Sequence, residues 1–119
     1  MGIKEDVEEL NGMILQGKIM EAFEKFYDEE VVMQENSEEP RVGKNTNREF
    51  EKQFLSNVQE FHSSKLVKGA FSDDGTVAMN YWEMDVTFKD GKRRKSVQVA
   101  VQEWKDGKII RERFFYNPN

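Results

Sequence analysis

Glu83 and Asp85 are the acids whose spacing first suggests chemistry, since two carboxylates held close together can divide the roles of general acid and general base. They lie in an alternating run from Val77 to Phe88, where a spacing of two places both on the face opposite Trp82 and Met84, so they are expected at the surface. The single histidine, His62, makes no metal site alone and, beside Ser63 and Ser64, is expected at an exposed helix end. The run Lys92-Arg93-Arg94-Lys95 has the composition of an anion site or a nuclear signal, but between two alternating segments it reads as a solvated hairpin shoulder that discourages edge pairing. The chain has no cysteine, which excludes disulfides, thiol catalysis and thiolate metal sites. With no glycine-rich phosphate loop, serine nucleophile motif or metal-ligand cluster, hydrolase, kinase and metalloenzyme chemistry has no carrier, and no cofactor is expected.

The elements that must position any site are easier to read. Asp74-Gly75, Asp90-Gly91 and Asp106-Gly107 recur every sixteen residues and divide the second half into four alternating segments. An Asp-Gly pair between such segments marks a hairpin, because glycine adopts the positive φ that a tight turn requires. The segments are Lys65 to Phe71, Val77 to Phe88, Lys95 to Trp104 and Ile109 to Tyr116, an antiparallel meander. Upstream, Ile3, Val7, Leu10 and Ile14 share one helical face that Gly17 ends, and Ile19, Ala22, Phe23 and Phe26 predict a second helix ending near Tyr27. Val31 to Glu35 reads as a short strand and residues 36–43 as a loop. Thr46 and Glu49 have capping-box spacing, and Phe50, Phe54, Val58 and Phe61 predict a third helix from about Asn47 to Phe61. Helices followed by a meander give segregated layers, an α+β fold with helices packed on one face of the sheet, in a single domain over residues 1–119.

A net charge of -5 argues against a nucleic-acid partner. The N-terminal stretch from Met1 to Asp6 is charged and lacks the apolar core of a signal peptide, Asp6 breaks the myristoylation pattern, and no apolar run nears membrane-spanning length. A cytoplasmic protein with no membrane partner is the expectation.

Taken together, the helices, the Phe26-Tyr27-Asp28-Glu29-Glu30-Val31-Val32 helix exit, the Pro40-Arg41-Val42-Gly43 loop and the terminal Asp106-Gly107-Lys108-Ile109 hairpin resemble the SnoaL-like and ketosteroid-isomerase-like branch of the NTF2-like superfamily. The resemblance covers nearly the whole chain and implies a cone-shaped fold, with N-terminal helices on the concave face of a curved antiparallel sheet. Its members include isomerases, cyclases, dehydratases, hydrolases and non-catalytic modules, so function has to come from the site.

The resemblance implies a general base eight residues beyond the helix-exit aromatic Tyr27, which is Glu35. It also implies a tyrosine and an aspartate as oxyanion donors; their places fall on Leu10, which cannot donate, and on Gln102, whose amide can. The final turn decides which residues face a pocket. A two-residue turn would pair Lys105 with Lys108 and put Val97, Val99 and Val101 on the inner face with Ile110, Glu112, Phe114 and Tyr116. A three-residue bulged turn would pair Trp104 with Lys108 and put Gln98, Ala100, Gln102 and Trp104 there instead. The resemblance favours the bulged turn, which gathers Gln102, Trp104 and Phe114, and by the same correspondence Met33, Trp82, Met84 and Val86 join the pocket.

The outer face would then carry Val97, Val99, Val101 and Phe115, through which NTF2-like domains commonly pair, so a homodimer is expected, with Glu103, Arg111 and Arg113 forming ion pairs across it. Two functions fit the expected pocket. One is proton transfer on a small apolar carbonyl compound, with Glu35 as base and Gln102 as oxyanion donor. The other is a non-catalytic ligand-binding or dimerisation module.

Overall fold

The computed structural model describes residues 2–118, so Met1 of the charged N-terminal stretch lies outside the described residues. Helix α1 (Lys4–Leu15) buries Val7 and Leu10 on the face that the apolar spacing marks, and Asn11 beside them. It stops at Gly17, where φ is 81°: the Gly17 amide reaches the Ile14 carbonyl at 3.0 Å and the Lys18 amide reaches Met13 at 2.9 Å, satisfying carbonyls that the helix end leaves open. Helix α2 (Ile19–Phe26) buries Ala22, Phe23 and Phe26 and passes with no loop into β1 (Tyr27–Glu35). Residues expected to be loop supply a short strand, β2 (Arg41–Val42), antiparallel to β1.

The third helix, α3, runs Lys44–Ser56, not Asn47 to Phe61. Thr46 and Glu49 form no capping box, because Gly43, at φ 96°, starts the helix earlier without a side-chain cap. Asn47 does the local fastening instead. Fully buried, its amide donates to the carbonyls of Gly43 at 2.8 Å and Arg41 at 3.1 Å and accepts from Arg41 Nε at 3.1 Å, tying β2 to the helix. Val58 and Phe61 keep helical spacing with Phe50 and Phe54, but they belong to β3 (Val58–Phe71). Pairing with β4 (Val77–Phe88) outweighs the local period: Val58 lies opposite Phe88 and Phe61 opposite Val86, and three register irregularities bend this long strand. His62 therefore sits in a strand rather than at a helix end, its Nε2 2.6 Å from Thr87 Oγ1 and its Nδ1 3.3 Å from Glu60.

With β5 (Arg93–Lys105) and β6 (Lys108–Tyr116) the sheet has the order β2-β1-β6-β5-β4-β3, antiparallel except where β1 runs parallel to β6. The result is the expected α+β architecture, three helices against a curved, open sheet. Its core joins Val7 and Leu10 of α1, Phe23 and Phe26 of α2, Val31 of β1 and Ile109 of β6. Trp104 belongs to this core, edge-on to Phe26 with ring centroids 5.8 Å apart.

The last hairpin corrects one expectation and keeps its consequence. Asp106 and Gly107 have φ of 52° and 77°, the paired positive values of a two-residue turn, and Lys105 lies opposite Lys108. No bulge sits at Gly107. Trp104 pairs with Ile109 while Glu103 pairs with Arg111, so Ile110 is the extra residue and β6 carries the bulge one step further on. Past that point Gln102 faces Glu112 and Ala100 faces Phe114, which returns Gln102, Glu112 and Phe114 to the helix side.

On the outer face Val97 and Phe115 are exposed, and Val99 and Val101 half-buried. Glu103 and Arg111 approach each other within the chain at 3.8 Å, and Arg113 Nε donates to the Asn36 carbonyl at 2.8 Å. Asp85 is not a surface residue: Arg93 covers it with two hydrogen bonds of 2.9 and 2.7 Å, which hold its carboxyl below the ordinary range, while Glu83 is exposed.

Candidate active site

Between the helices and the inner sheet face lies a cavity of about 580 Å³, within the size range of small-molecule sites. Met33, Glu35, Trp82, Met84, Gln102 and Phe114 all line it. Val86 and Trp104 do not. Both are buried, Trp104 behind Phe26 in the core, so the inner face of the sheet is longer than the cavity. Phe23, Phe50, Phe54 and Phe61 add aromatic walls, while Glu21, Glu35, Glu51 and Glu112 contribute carboxyl groups; among the described residues no lysine, arginine or histidine lines the cavity.

Glu112 is the centre of the polar part. The Ile110 bulge turns it inward, where it is 2% exposed, opposite Gln102 on one neighbouring strand and Met33 on the other. The Tyr27 hydroxyl donates to its Oε1 and Gln102 Nε2 to its Oε2 at 2.7 Å; Trp104 Nε1 in turn donates to Gln102 Oε1 at 3.1 Å. Each buried polar atom of this chain of four residues thus has a partner. Burial pushes the Glu112 carboxyl up to about 7, against the two hydrogen bonds that favour its charged form, and the nearby Glu51 and Glu35 add to the rise. Burial, reinforced by the Glu112 charge, raises the Tyr27 phenol well above its ordinary value. Neither residue stands out as a site by spacing. The one signal is an acid at position 112 on the same inner face as Gln102.

Glu35 ends β1, its side chain 16% exposed. Its Oε2 lies 3.0 Å from Arg41 Nη2, and Tyr116 donates to its Oε1 at 2.9 Å. The Arg41 guanidinium lies 3.6 Å over the Phe50 ring, which holds it against the cavity wall. Burial and the Glu35 hydrogen bond push the Tyr116 phenol up to about 12. Glu51, on α3, has its carboxyl raised to about 7, by burial first and then by the Glu35 charge, with Arg41 opposing. Three carboxyl groups from β1, α3 and β6 therefore line one cavity, and Arg41, at its wall, pairs with Glu35.

Gln102 spends one of its two N–H donors within the protein. One N–H goes to Glu112 and its carbonyl accepts from Trp104, which fixes the amide as a brace for the acid. Among the described residues no group of three or more His, Cys, Asp or Glu could hold a metal ion, and no helix is long and apolar enough to cross a membrane.

The geometry has relatives. A candidate SnoaL-like polyketide cyclase from Mesorhizobium loti, also labelled a carbohydrate phosphatase, is 27% identical with a TM-score of 0.86 over 98% of this chain and 100% of its own. A candidate polyketide cyclase from Pseudomonas putida shares the fold at 20% identity and a TM-score of 0.82, over 100% of this chain and 94% of its own. A candidate isomerase from Bacillus subtilis does so at 20% identity and a TM-score of 0.79, over 96% and 85%. No curated protein matches the chain significantly. The family model of the SnoaL-like domain matches residues 1–116, and the chain belongs to that family.

Proposed function

We propose that this SnoaL-like protein is a cofactor-independent enzyme that moves a proton on a small apolar carbonyl compound, the step common to isomerase and cyclase chemistry. One observation carries the proposal: Glu112 is buried at the wall of a largely apolar cavity, which pushes its carboxyl up to about 7, and the ion-paired Glu35 lines the same cavity. A general acid or base works best when its pKa lies near the working pH, and two carboxyl groups in unlike environments can take opposite roles. The candidate cyclase and isomerase names of its structural relatives fit that reaction class.

In the proposed step Glu35 takes a proton from the carbon beside the carbonyl; the C–H electron pair forms the carbon–carbon double bond of the enol, and the carbonyl π pair moves onto the oxygen. Glu112 gives its proton to that oxygen, directly or through the Tyr27 hydroxyl, so the enol forms without net charge. As the enol proton returns to Glu112, delivery of the Glu35 proton to another carbon of a conjugated substrate gives an isomer; attack of the enol carbon on a second carbonyl carbon, whose oxygen takes the Glu35 proton, closes a ring. Gln102 positions Glu112 here instead of contacting the oxyanion.

Deuterium exchange into the C2 protons of 1-tetralone, followed by NMR, tests this. The wild-type protein is expected to accelerate exchange over buffer, and Glu35→Gln to lower the rate about 100-fold or more. The wild-type rate falls as pH rises past 7 and Glu112 loses its proton, a limb that Glu112→Gln lacks. Exchange no faster than in buffer would leave the non-catalytic binding module.

We further propose that Val97, Val99, Val101 and Phe115 pair with a second copy of the chain. The supporting observation is that Val97 and Phe115 are 53% and 43% exposed on an outer face that continues through the half-buried Val99 and Val101. Light scattering should give twice the 14.0 kDa chain mass, and Val97→Lys with Phe115→Lys should halve it.

A further inference from the structure

The inner face of β5 carries two glutamines, and they are used differently. Gln102 braces Glu112 and accepts from Trp104. Gln98 also lines the cavity, yet its side chain makes no hydrogen bond to any of the described residues. At about 3.4 Å per residue the two backbones stand roughly 14 Å apart along the strand. Ala100 lies between them on the same face, and its small side chain leaves room above the sheet.

Trp82 of β4 is the direct partner of Gln98, and side chains paired in this way stand on one face with Cβ atoms about 4.5–5.5 Å apart. Trp82 is 5% exposed and lines the cavity, but its Nε1–H meets no acceptor among the described residues. Trp104 gives the same group to Gln102. Nor is the Trp82 N–H sealed from water. The sealed unpaired atoms are Asn11 Oδ1 and Asn80 Nδ2, left over where Asn11 Nδ2 donates to Asn80 Oδ1 at 3.2 Å. Gly69 of β3 backs that closed pair, since a Cβ there would stand 3.3 Å from Asn80 Oδ1. Tyr116 continues the row beyond Gln98, and its hydroxyl is committed to Glu35. Two neighbouring N–H donors without a protein acceptor are therefore left at the cavity wall, at the end of the β5 row away from Glu112.

We infer that Trp82 and Gln98 form a recognition point for a neutral acceptor oxygen, a ketone or ester carbonyl, that the ligand carries on the side away from Glu112. The indole N–H can only donate, so an alkyl or ammonium group there leaves it unmet, whereas a carbonyl oxygen has lone pairs for both the indole and the amide. Charge narrows the class further. Four glutamates line the cavity and, among the described residues, no cationic side chain does, so a carboxylate or phosphate would meet repulsion that a neutral oxygen avoids. The inference rests on the proposed reaction only for which end of the ligand reacts.

Nitrogen-15 NMR titration of the wild-type protein with 6-acetyl-1-tetralone and 6-isopropenyl-1-tetralone tests it. The two probes match in shape, and only the first carries a second acceptor oxygen. The acetyl probe is expected to bind about tenfold or more tightly and to move the Trp82 indole N–H proton downfield. That signal is identified by its absence in Trp82→Phe, and the Trp104 indole serves as the internal control. The affinity ratio should fall to within about twofold in Trp82→Phe, which keeps an aromatic wall, and should shrink in Gln98→Leu. Equal affinities in the wild-type protein would mean that water serves the N–H as well as a ligand does, and would overturn the inference. So would an unmoved Trp82 signal, a preference that survives Trp82→Phe, or binding of neither probe. If a variant fails to fold, the wild-type affinity ratio decides the outcome alone. Acetyl preference without deuterium exchange would break the proposed reaction and leave this recognition point intact; exchange with equal affinities would do the reverse.

Discussion

Two buried polar groups lie on one face of the same sheet, and they are finished differently. Around Glu112 every polar atom is paired, from Tyr27 through the carboxyl and Gln102 to Trp104. Between Asn11 and Asn80 one bond is made and two groups are left over. A satisfied network in a low-dielectric interior rigidifies its members and sets a proton affinity, whereas an unsatisfied pair costs stability until something fills it. The contrast separates a group whose proton affinity is set by its partners from one whose hydrogen bonding is incomplete.

The largest effect should come from breaking the satisfied cluster. Glu112→Leu strands the Tyr27 hydroxyl and a Gln102 N–H and should cost roughly 2 to 4 kcal/mol in urea unfolding at pH 5, more than Glu112→Gln, which keeps an acceptor. The pH dependence follows with a definite sign. Folding raises the Glu112 pKa from 4.5 to about 7, so the folded state holds the proton more tightly. The stability this contributes is complete below about pH 4.5 and is lost as pH rises through 7, a fall on the order of 3 kcal/mol. Glu51 shifts the same way and adds to the fall. Urea unfolding between pH 4.5 and 8 should show this decline in the wild-type protein and a shallower one in Glu112→Gln.

Removing both members of the unsatisfied pair should do far less. Asn11→Leu with Asn80→Leu takes away the unmet groups together, and the expected change is within about 1 kcal/mol, or a gain. A large loss would show that the pair is structural and would erase the contrast. Smallest of all is Gly69→Ala, expected to cost under about 1 kcal/mol beside Asn80 and to become stabilising in an Asn80→Ala background, where the close contact is gone.

Most of the frame was legible because local signals agreed with tertiary ones. Ile3, Val7, Leu10 and Ile14 keep a helical period that Gly17 ends, and each Asp-Gly pair closes a hairpin. Where they disagreed, pairing won. Val58 and Phe61 continue the period of α3, yet their backbone groups are taken up by β4. The Ile110 bulge had no local mark, since nothing in an alternating segment says which residue will go unpaired, although the inner face it restores was the expected one.

The site was legible in its walls more than in its chemistry. Met33, Trp82, Met84 and Phe114 follow from strand alternation combined with the family resemblance, and Glu35 from the resemblance alone. Tyr27 and Glu112 meet across 85 positions of sequence, and Asn11 and Asn80 across 69, so their pairings exist only once β1, β6, α1 and β4 are assembled. Val86 and Trp104 share the inner face but lie beyond the cavity's end, a boundary set by helix packing and not by the strand's own period.

The central claim is that the cavity holds a carboxyl group able to exchange its proton near neutral pH. Carbon-13 NMR of glutamate side-chain carboxyls, with Glu112 assigned by its absence in Glu112→Gln, measures this directly as pH is varied. A midpoint for Glu112 near 7 is the predicted result. A midpoint near the ordinary 4.5 would show a charged, solvated acid and contradict the account.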